Sequence, residues 1–193
     1  MLTAWGYEID GNLPPLLEVD AFESITGGKY DCVAAEQALS AASQAVRNYC
    51  GWHVSPSVDC TAYPMPTSGV LRLPSNCVTE IESVKENGIA VTDYEWLRMG
   101  LVRRTDGKKW SKSWGAIEVD YTAGLSCDAV PDLAEAVRSI AEGVLAVSAG
   151  IASESADGVS ISYSANASSV ASALTDQFKA ALAPYKVVGS HAA

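Results

Sequence analysis

The sequence carries few residues of the kinds that usually perform catalysis. Its only histidines are His53 and His191, and the second lies in a terminal stretch that we expect to be frayed, so no histidine pair or triad can be assembled. His53 follows Gly51 and Trp52 at the predicted end of a helix, where a histidine often interacts with the last carbonyl groups. P-loop, dinucleotide-binding, nucleophile-elbow and zinc-protease strings are absent from the sequence. We therefore expect no catalytic residue and no cofactor.

Carboxylates are the remaining candidates for acid–base chemistry. Glu80 and Glu82 alternate along a predicted strand, and Glu135 and Glu142 lie on a predicted helix. Two carboxyl groups can act as acid and base when their surroundings separate their pKa values. Solvated surface positions are the commoner outcome for such residues. A small enzyme with a carboxylate site therefore stays open only as an alternative.

Five cysteines are present, which raises the question of metal binding or disulfide bonds. They are Cys32, Cys50, Cys60, Cys77 and Cys127. The odd number and the lack of a C-x-x-C pair or a His/Cys cluster argue against a zinc site and against a full disulfide framework. The pattern favours buried, reduced thiols and no metal.

The most distinctive polar segment is RRTDGKKWSKSW, residues 103–114. We expect the tip of a β-hairpin here, around Asp106-Gly107. Mixed cations and indoles of this kind can form hot spots on a protein partner or can stack on bases and pair with phosphates, and an exposed loop that aids solubility is the third interpretation. The candidate interface residues are Arg103, Arg104, Lys108, Lys109, Trp110, Lys112 and Trp114.

The overall charge restricts the class of partner. The chain has 13 basic and 23 acidic side chains and a net charge of −10, which opposes non-specific attraction to phosphate backbones. Such a charge suits a surface past which DNA slides without adhering, and solubility alone would also explain it. No segment approaches the roughly 20 apolar residues of a membrane helix, and the start lacks a basic region followed by an apolar run. We expect neither export nor membrane insertion.

Helical periodicity marks four segments. A short helix is predicted over 18–25, before Gly27 and Gly28. A longer one runs from Asp31, a potential cap, to Cys50 and ends at Gly51. Its apolar stripe comprises Ala35, Leu39, Ala42, Val46 and Tyr49. A third helix begins at Pro131 and ends before Gly150, and the fourth spans about 169–183 and ends at Pro184.

Between 57 and 123 the period becomes alternating, which indicates a small β-domain. Strands are predicted at 70–73, 77–84, 89–91, 94–97, 101–104 and 116–121. Asn87-Gly88 is a strong signal for a type I′ hairpin turn. Further along, Val159, Ile161 and Tyr163 alternate with serines and indicate a strand or hairpin arm that could join a neighbouring subunit by strand addition.

The order of elements predicts an α+β fold: a small helical bundle core with an inserted antiparallel β-domain and an extended arm or hairpin. The expected divisions are 1–56 for the N-terminal segment and first core helices, 57–124 for the inserted β-domain, and 125–193 for the remaining core helices, arm and tail. We treat these as one compact domain with an insertion.

The segment ALSAASQAVRNYCGWHVSP at 38–56 resembles a signature of phage head-tail connector proteins, also called head-completion or adaptor proteins. Later segments resemble the same family in the same order. These are LPSNCVTEIESVKENG at 73–88, VDYTAG at 119–124, PDLAEAVRSIA at 131–141, ESADGVSISYS at 154–164 and L-x-P-Y at 182–185. The resemblance covers about 16–185, nearly the whole chain.

This resemblance implies a structural virion protein at the head-tail junction, assembled in the host cytoplasm as a ring of twelve copies beneath the portal. Such a ring continues the channel for viral DNA without sequence-specific binding and offers its far side to the next connector or tail-completion protein. The family contributes no catalytic residues, and it implies that Gly51 and Trp52 serve as a helix stop and a core anchor. Another neck or tail-completion role stays open as a neighbouring alternative.

Overall fold

The computed structural model describes residues 1–126, 130–148, 153–156, 159–162 and 174–187, with side chains for 1–126, 130–146 and 174–187. The described helices and antiparallel sheets make an α+β fold, as predicted. The chain divides into two compact units. The β unit comprises Met1–Leu13, Cys50–Ala129 and Tyr185–Ala193, and the helical unit comprises Pro14–Tyr49 and Val130–Pro184. The predicted β-domain at 57–124 belongs to the first of these units.

Two antiparallel sheets form the described part of the β unit. The strands are β1 (Glu8–Ile9), β2 (Val58–Ala62), β3 (Val70–Arg72), β4 (Val78–Glu86), β5 (Ile89–Ala90), β6 (Tyr94–Leu97), β7 (Leu101–Arg104) and β8 (Ile117–Ala123). One sheet has the order β1-β2-β8-β4-β5 and the other has the order β3-β7-β6. Strands β6 and β7 match the predicted bounds, whereas β1 lies in a stretch that the sequence marks as irregular.

Strand β4 does not alternate as its sequence suggests. Regular alternation places Val78, Glu80, Glu82 and Val84 on one face, but the register against β8 shifts between Val78 and Glu80 and again between Ile81 and Ser83. These bulges let Val78, Ile81 and Val84 face the core while the two glutamates stay exposed. The predicted face was therefore wrong, because each extra residue changes which side chains point inward.

The turn between β4 and β5 confirms the hairpin signal. Asn87 and Gly88 have φ values of 52° and 78°, and the strands they join pair through Glu86 and Ile89. Both residues tolerate the left-handed conformation that a type I′ turn requires.

The core of the β unit lies between inward-facing side chains of both sheets. Its buried members include Tyr7, Ile9, Leu71, Leu73, Val78, Val84, Val102, Trp110, Ile117, Val119 and Tyr121. Trp52 is buried as well, after Gly51 with φ 79°, and its indole donates to the Tyr185 carbonyl at 2.7 Å. The helix stop and the core anchor that the sequence suggested are both present.

The helical unit contains α1 (Val19–Thr26), α2 (Cys32–Cys50), α3 (Pro131–Ser148) and α4 (Asp176–Leu182). The Asp31 side chain caps α2 by accepting from the Ala34 amide at 3.0 Å, as predicted. Four of the five stripe residues of α2 are fully buried, and Tyr49 is half-buried with its hydroxyl donating to the Lys179 carbonyl. Helix α3 packs against α4.

Two details differ from the expected helical pattern. Helix α4 begins after Thr175, which has an extended backbone and lies outside the helix. The prediction that Leu174 is helical was therefore wrong. The part of that prediction that falls on 169–173 lies outside the described residues. None of the described helices is both long enough and apolar enough to cross a bilayer.

A hairpin follows α3, as the alternation suggested. Strands β9 (Ser153–Ala156) and β10 (Val159–Ser162) pair antiparallel, with Val159 opposite Ala156 and Ile161 opposite Glu154. Tyr163, the third candidate contact residue of this arm, lies outside the described residues, and so do the side chains of the other two.

Candidate interaction surfaces

The segment 105–116 is a crossover loop rather than the hairpin tip predicted from its sequence. Strand β7 before it pairs with β3 and β6, whereas β8 after it pairs with β2 and β4 of the other sheet. The expected turn does form at Asp106-Gly107, where Gly107 has φ 76° and the Lys108 amide donates to the Asp106 carboxylate at 3.1 Å. The turn residues were identified correctly, but the pairing of the flanking strands is decided by distant residues.

Arg104 holds the start of this loop in place. Its guanidinium donates to Glu86 at 2.6 Å and to both oxygens of Asp106 at 2.9 and 2.6 Å, and its side chain is 8% exposed. It also lies 5.1 Å from the ring centroid of Trp110. The hydrogen bonds from Arg104 lower the pKa of the Asp106 carboxyl. Arg104 is thus committed to contacts within the chain and is not a free cation for a partner.

The two indoles of the loop have opposite environments. Trp110 is 3% exposed within the core of the β unit, and its Nε1–H has no hydrogen-bond partner among the described residues. Trp114 is 92% exposed. Sequence reasoning treated them alike, and the structure removes Trp110 from the candidate surface because its ring is enclosed by the chain's own core.

Four candidate residues remain together on the surface: Lys108, Lys109, Lys112 and Trp114, which we call the basic tip. Within the described structure Lys109 and Lys112 form no ion pair, while Lys108 lies 3.5 Å from the already paired Asp106. Arg103 is exposed too, but it pairs with Glu95 on β6.

Both ends of the Trp114 segment are anchored to the β4–β5 hairpin. The Ser111 amide donates to the Glu86 carboxylate, and the Asn87 amide donates to the Ala116 carbonyl at 2.6 Å. Only a short stretch between these anchors is left to project. Trp114 is therefore displayed from a fixed base, which lowers the entropy lost when it binds.

The outer face of the five-stranded sheet is strongly acidic, a feature that sequence reasoning missed. Its carboxylates are Glu8, Asp10, Asp59, Glu80, Glu82, Glu118 and Asp120, against one cation, Lys85. Lys85 pairs with Glu118 and Asp120. The alternation of IEVDYTA in β8 signals this face, but the pairing of β1 and β2, which completes it, depends on contacts far apart in sequence.

Six polar or acidic residues of this face surround a depression of about 280 Å³, which we call the acidic depression. They are Glu8, Asp10, Asp59, Thr61, Glu82 and Asp120. Burial opposes ionisation of Asp120, but hydrogen bonds from Ser83, Thr61 and Lys85 outweigh it and lower its pKa. Glu8, Asp10 and Glu82 have no cationic partner among the described residues.

His53 does not face a cleft. Its ring is fully buried between the Tyr7 hydroxyl, 2.7 Å from Nδ1, and the Ala123 carbonyl, 2.9 Å from Nε2. The Tyr7 oxygen also accepts the His53 main-chain N–H at 3.0 Å. These contacts give the histidine a structural role in the β unit.

The four carboxylates held open for catalysis lie on two elements of different units, α3 and β4. In α3, Arg138 donates to Glu135 and Glu142, and its hydrogen bond lowers the pKa of Glu135, which is the opposite of what a general acid requires. Glu80 and Glu82 are exposed on β4. The described residues contain no cluster of His, Cys, Asp and Glu side chains that could hold a metal ion.

The cysteines follow the expectation only in part. Cys50, Cys60 and Cys77 are buried free thiols, and burial raises the pKa of Cys50 and of Cys60 to about 12. Cys32 is exposed at the start of α2, contrary to the prediction, although its spacing places it in line with the buried stripe. Cys127 lies outside the described residues.

No protein-family model matches the sequence, and no curated protein sequence matches it either. The fold does match solved structures. A chain from the neck of an empty GTA particle, computed with C6 symmetry, has a TM-score of 0.59 and 17% identity over 97% of this chain and 98% of that one. A chain from the neck of a native GTA particle, computed with C12 symmetry, has a TM-score of 0.58 and 16% identity over the same shares.

At this level of identity the comparison establishes the fold. This chain has the α+β fold of a chain in the neck of GTA particles, matched along nearly the whole of both chains. The expectation of a neck or connector fold is confirmed, and the particular role belongs to the proposal that follows.

Proposed function

We propose that this chain is a structural subunit of the neck of a phage-like particle, where it forms a ring beneath the portal that connects the head to the tail. The whole-length fold match with chains of particle necks carries the proposal. Those necks were computed with sixfold and twelvefold symmetry, which supports a ring of twelve copies here.

The ring's partners follow from its position. The portal lies on one side, the next connector or tail-completion protein lies on the other, and viral DNA passes through the channel without sequence-specific contacts. The net charge of −10 supports this, because a surface with more acidic than basic groups does not gain affinity from counterion release. A channel lined mainly by cations in a neck reconstruction would contradict it.

The hairpin β9–β10 is proposed as a contact between subunits. It is a two-stranded sheet, and each strand has a second edge that no other described strand covers. Such a hairpin is marginal by itself and gains stability when a further strand joins it. Val159, Ile161 and Tyr163 are proposed to contribute apolar contacts there.

A structural rather than enzymatic role is supported by the contacts of the residues that were candidates for catalysis. The buried histidine is held by Tyr7 and Ala123, and the helical glutamates are paired with Arg138. Asp120 and Glu135 have lowered pKa values, whereas a general acid near neutral pH needs a raised one.

Mass spectrometry and cryo-electron microscopy of purified particles test the proposal. The chain should be present at the copy number of the portal protein and should occupy a ring in the neck density. Mature particles without this chain, or with it only in the capsid shell or tail tube, would overturn the proposal. Turnover of a substrate by purified chain would do the same.

A further inference from the structure

We propose that the basic tip of one copy docks onto the acidic depression of a second copy, head to tail. This inference rests on the proposed function, since it identifies which surfaces of the β unit join neighbouring subunits of the ring. The occupant of the depression is then the loop segment with Trp114 and its adjacent lysines.

The tip has the properties of a binding element. Trp114 exposes nearly all of its ring, and tryptophan is among the residues most enriched in binding hot spots. The hydrogen bonds at Ser111 and Ala116 hold the tip to the β4–β5 hairpin, which carries a second exposed apolar side chain, Ile89. The indole of Trp114, with Lys109 and Lys112 nearby and without ion-pair partners in the described structure, fits a surface that is concave and acidic.

The depression offers the complementary chemistry. Its rim carries Glu8, Asp10 and Glu82, none of which has a cationic partner within the described residues. Lysines that approach this rim replace like-charge repulsion with attraction, which favours this pairing over contact between two acidic faces. Charge complementarity therefore points to a second copy as the partner.

The positions of the two surfaces favour a repeating contact. The tip is anchored beside β5, at one edge of the five-stranded sheet. The depression extends from β1, at the other edge, across β2 and β8 to Glu82 of β4. With strands about 4.8 Å apart, the two edges are roughly 19 Å apart. Because the tip and the depression are two different patches, their contact is a heterologous interface, and such interfaces build rings when the rotation between copies closes.

Double-stranded DNA is the competing partner for a tip that carries several lysines, because cations pair with its phosphates. The structure favours protein, because the outer face of the five-stranded sheet in the same unit carries seven carboxylates against Lys85. Their repulsion of phosphates would oppose the few free lysines. The experiment therefore includes DNA as a separate arm.

A mixing experiment tests the docking directly. A tip variant carries K109E, K112E and W114S, and a face variant carries E8K, D10K and E82K. These positions are exposed, so both variants should retain the wild-type circular dichroism and melting temperature. A control carries charge reversals at three exposed positions of the helical unit, E18K, D20K and E36K, and so matches the face variant in net charge.

Sedimentation velocity at low ionic strength gives the readout. Wild type and control should self-associate, and the affinity should fall by about tenfold or more when salt is raised from 50 to roughly 500 mM. Each folded variant alone should be monomeric. Their equimolar mixture should form heterodimers and nothing larger, because only one intact tip and one intact depression remain per pair.

Three results would overturn the inference. They are wild-type chain that stays monomeric at about 1 mM, a mixture of folded variants that stays monomeric, and binding of a duplex DNA probe by wild type that the tip variant loses. If a variant fails to fold, disulfide crosslinking replaces the mixing experiment. A W114C chain and an E82C chain, each on a C32S background, should form a disulfide with each other when mixed.

A neck reconstruction with Trp114 in solvent would overturn the docking alone, whereas particles without the chain would overturn the proposed function.

Discussion

The Tyr7 hydroxyl lies 2.7 Å from Nδ1 of His53, and both side chains are fully buried. The geometry is satisfied when the neutral imidazole donates from Nε2 to the Ala123 carbonyl and accepts the Tyr7 hydroxyl proton at Nδ1. The same hydroxyl oxygen accepts the His53 amide. The Tyr7 hydroxyl thus satisfies two buried polar groups of His53, which lies 46 positions away in the sequence.

Replacing Tyr7 with Phe should therefore destabilise the chain by about 1–3 kcal/mol, because Nδ1 and the His53 amide lose their partner without access to water. For a chain of this size each kcal/mol lowers the melting temperature by roughly 2–4 °C. Thermal unfolding followed by circular dichroism measures the shift. The half-exposed Tyr63 provides the control, and Y63F should melt at the wild-type temperature. Equal melting temperatures for Y7F and Y63F would show that the Tyr7–His53 hydrogen bonds do not stabilise the fold.

Gly124, the last residue of the VDYTAG segment, should not tolerate a side chain. A Cβ at this position would lie 2.2 Å from the Pro56 carbonyl oxygen, and the residue has φ 127°. The G124A variant should be insoluble or destabilised by more than about 3 kcal/mol, since backbone on both sides must move. Gly107 has φ 76° but open space around it, so G107A should cost only about 1 kcal/mol. Urea denaturation compares G124A with G107A, and similar midpoints would contradict the close approach of Gly124 to Pro56.

Acidification should weaken the fold through Asp106. Hydrogen bonds from Arg104 hold the pKa of this carboxyl below its ordinary value of 3.8, so the folded chain binds the proton less readily than the unfolded chain does. The stabilisation is present above about pH 4 and is lost as the pH falls toward the folded-state pKa. Wild type should therefore lose stability more steeply than D106N between roughly pH 4.5 and 2.5.

Urea midpoints at several pH values measure this difference, with Asp93→Asn as an exposed control. The D106N variant should also be less stable than wild type at neutral pH, because its neutral amide interacts more weakly with Arg104. Parallel pH profiles for wild type and D106N would contradict the assigned role of the ion pair.

The free thiols should react at very different rates. Cys32 is exposed, and a hydrogen bond and the charge of Glu23 raise its pKa, so iodoacetamide at pH 8 should modify it slowly but completely. Cys50 and Cys60 should resist, because burial blocks access and raises each pKa to about 12. Peptide mass spectrometry gives the rates, and all three should react alike in urea. Modification of Cys60 at the rate of Cys32 in native protein would contradict the buried core.

Local sequence patterns were sufficient to predict most of the elements. The stripe of α2, the Asp31 cap, the Gly51 stop and the Asn87-Gly88 turn depend on side chains within a few residues of one another, and each is present. Strands with regular alternation were located by the same means. The two bulges of β4 were not, since they depend on the register against β8.

The sequence by itself determined the α+β composition, the order of elements and the absence of familiar catalytic motifs, because periodicity and turn chemistry are local. Tertiary structure decided what the polar residues do. It buried Trp110 and exposed Trp114, paired Arg104 with two carboxylates, and joined β1, β2 and β8 into an acidic face. The physical reason is that burial and charge pairing depend on which distant strands become neighbours, and that information is not carried by the spacing of residues along one strand.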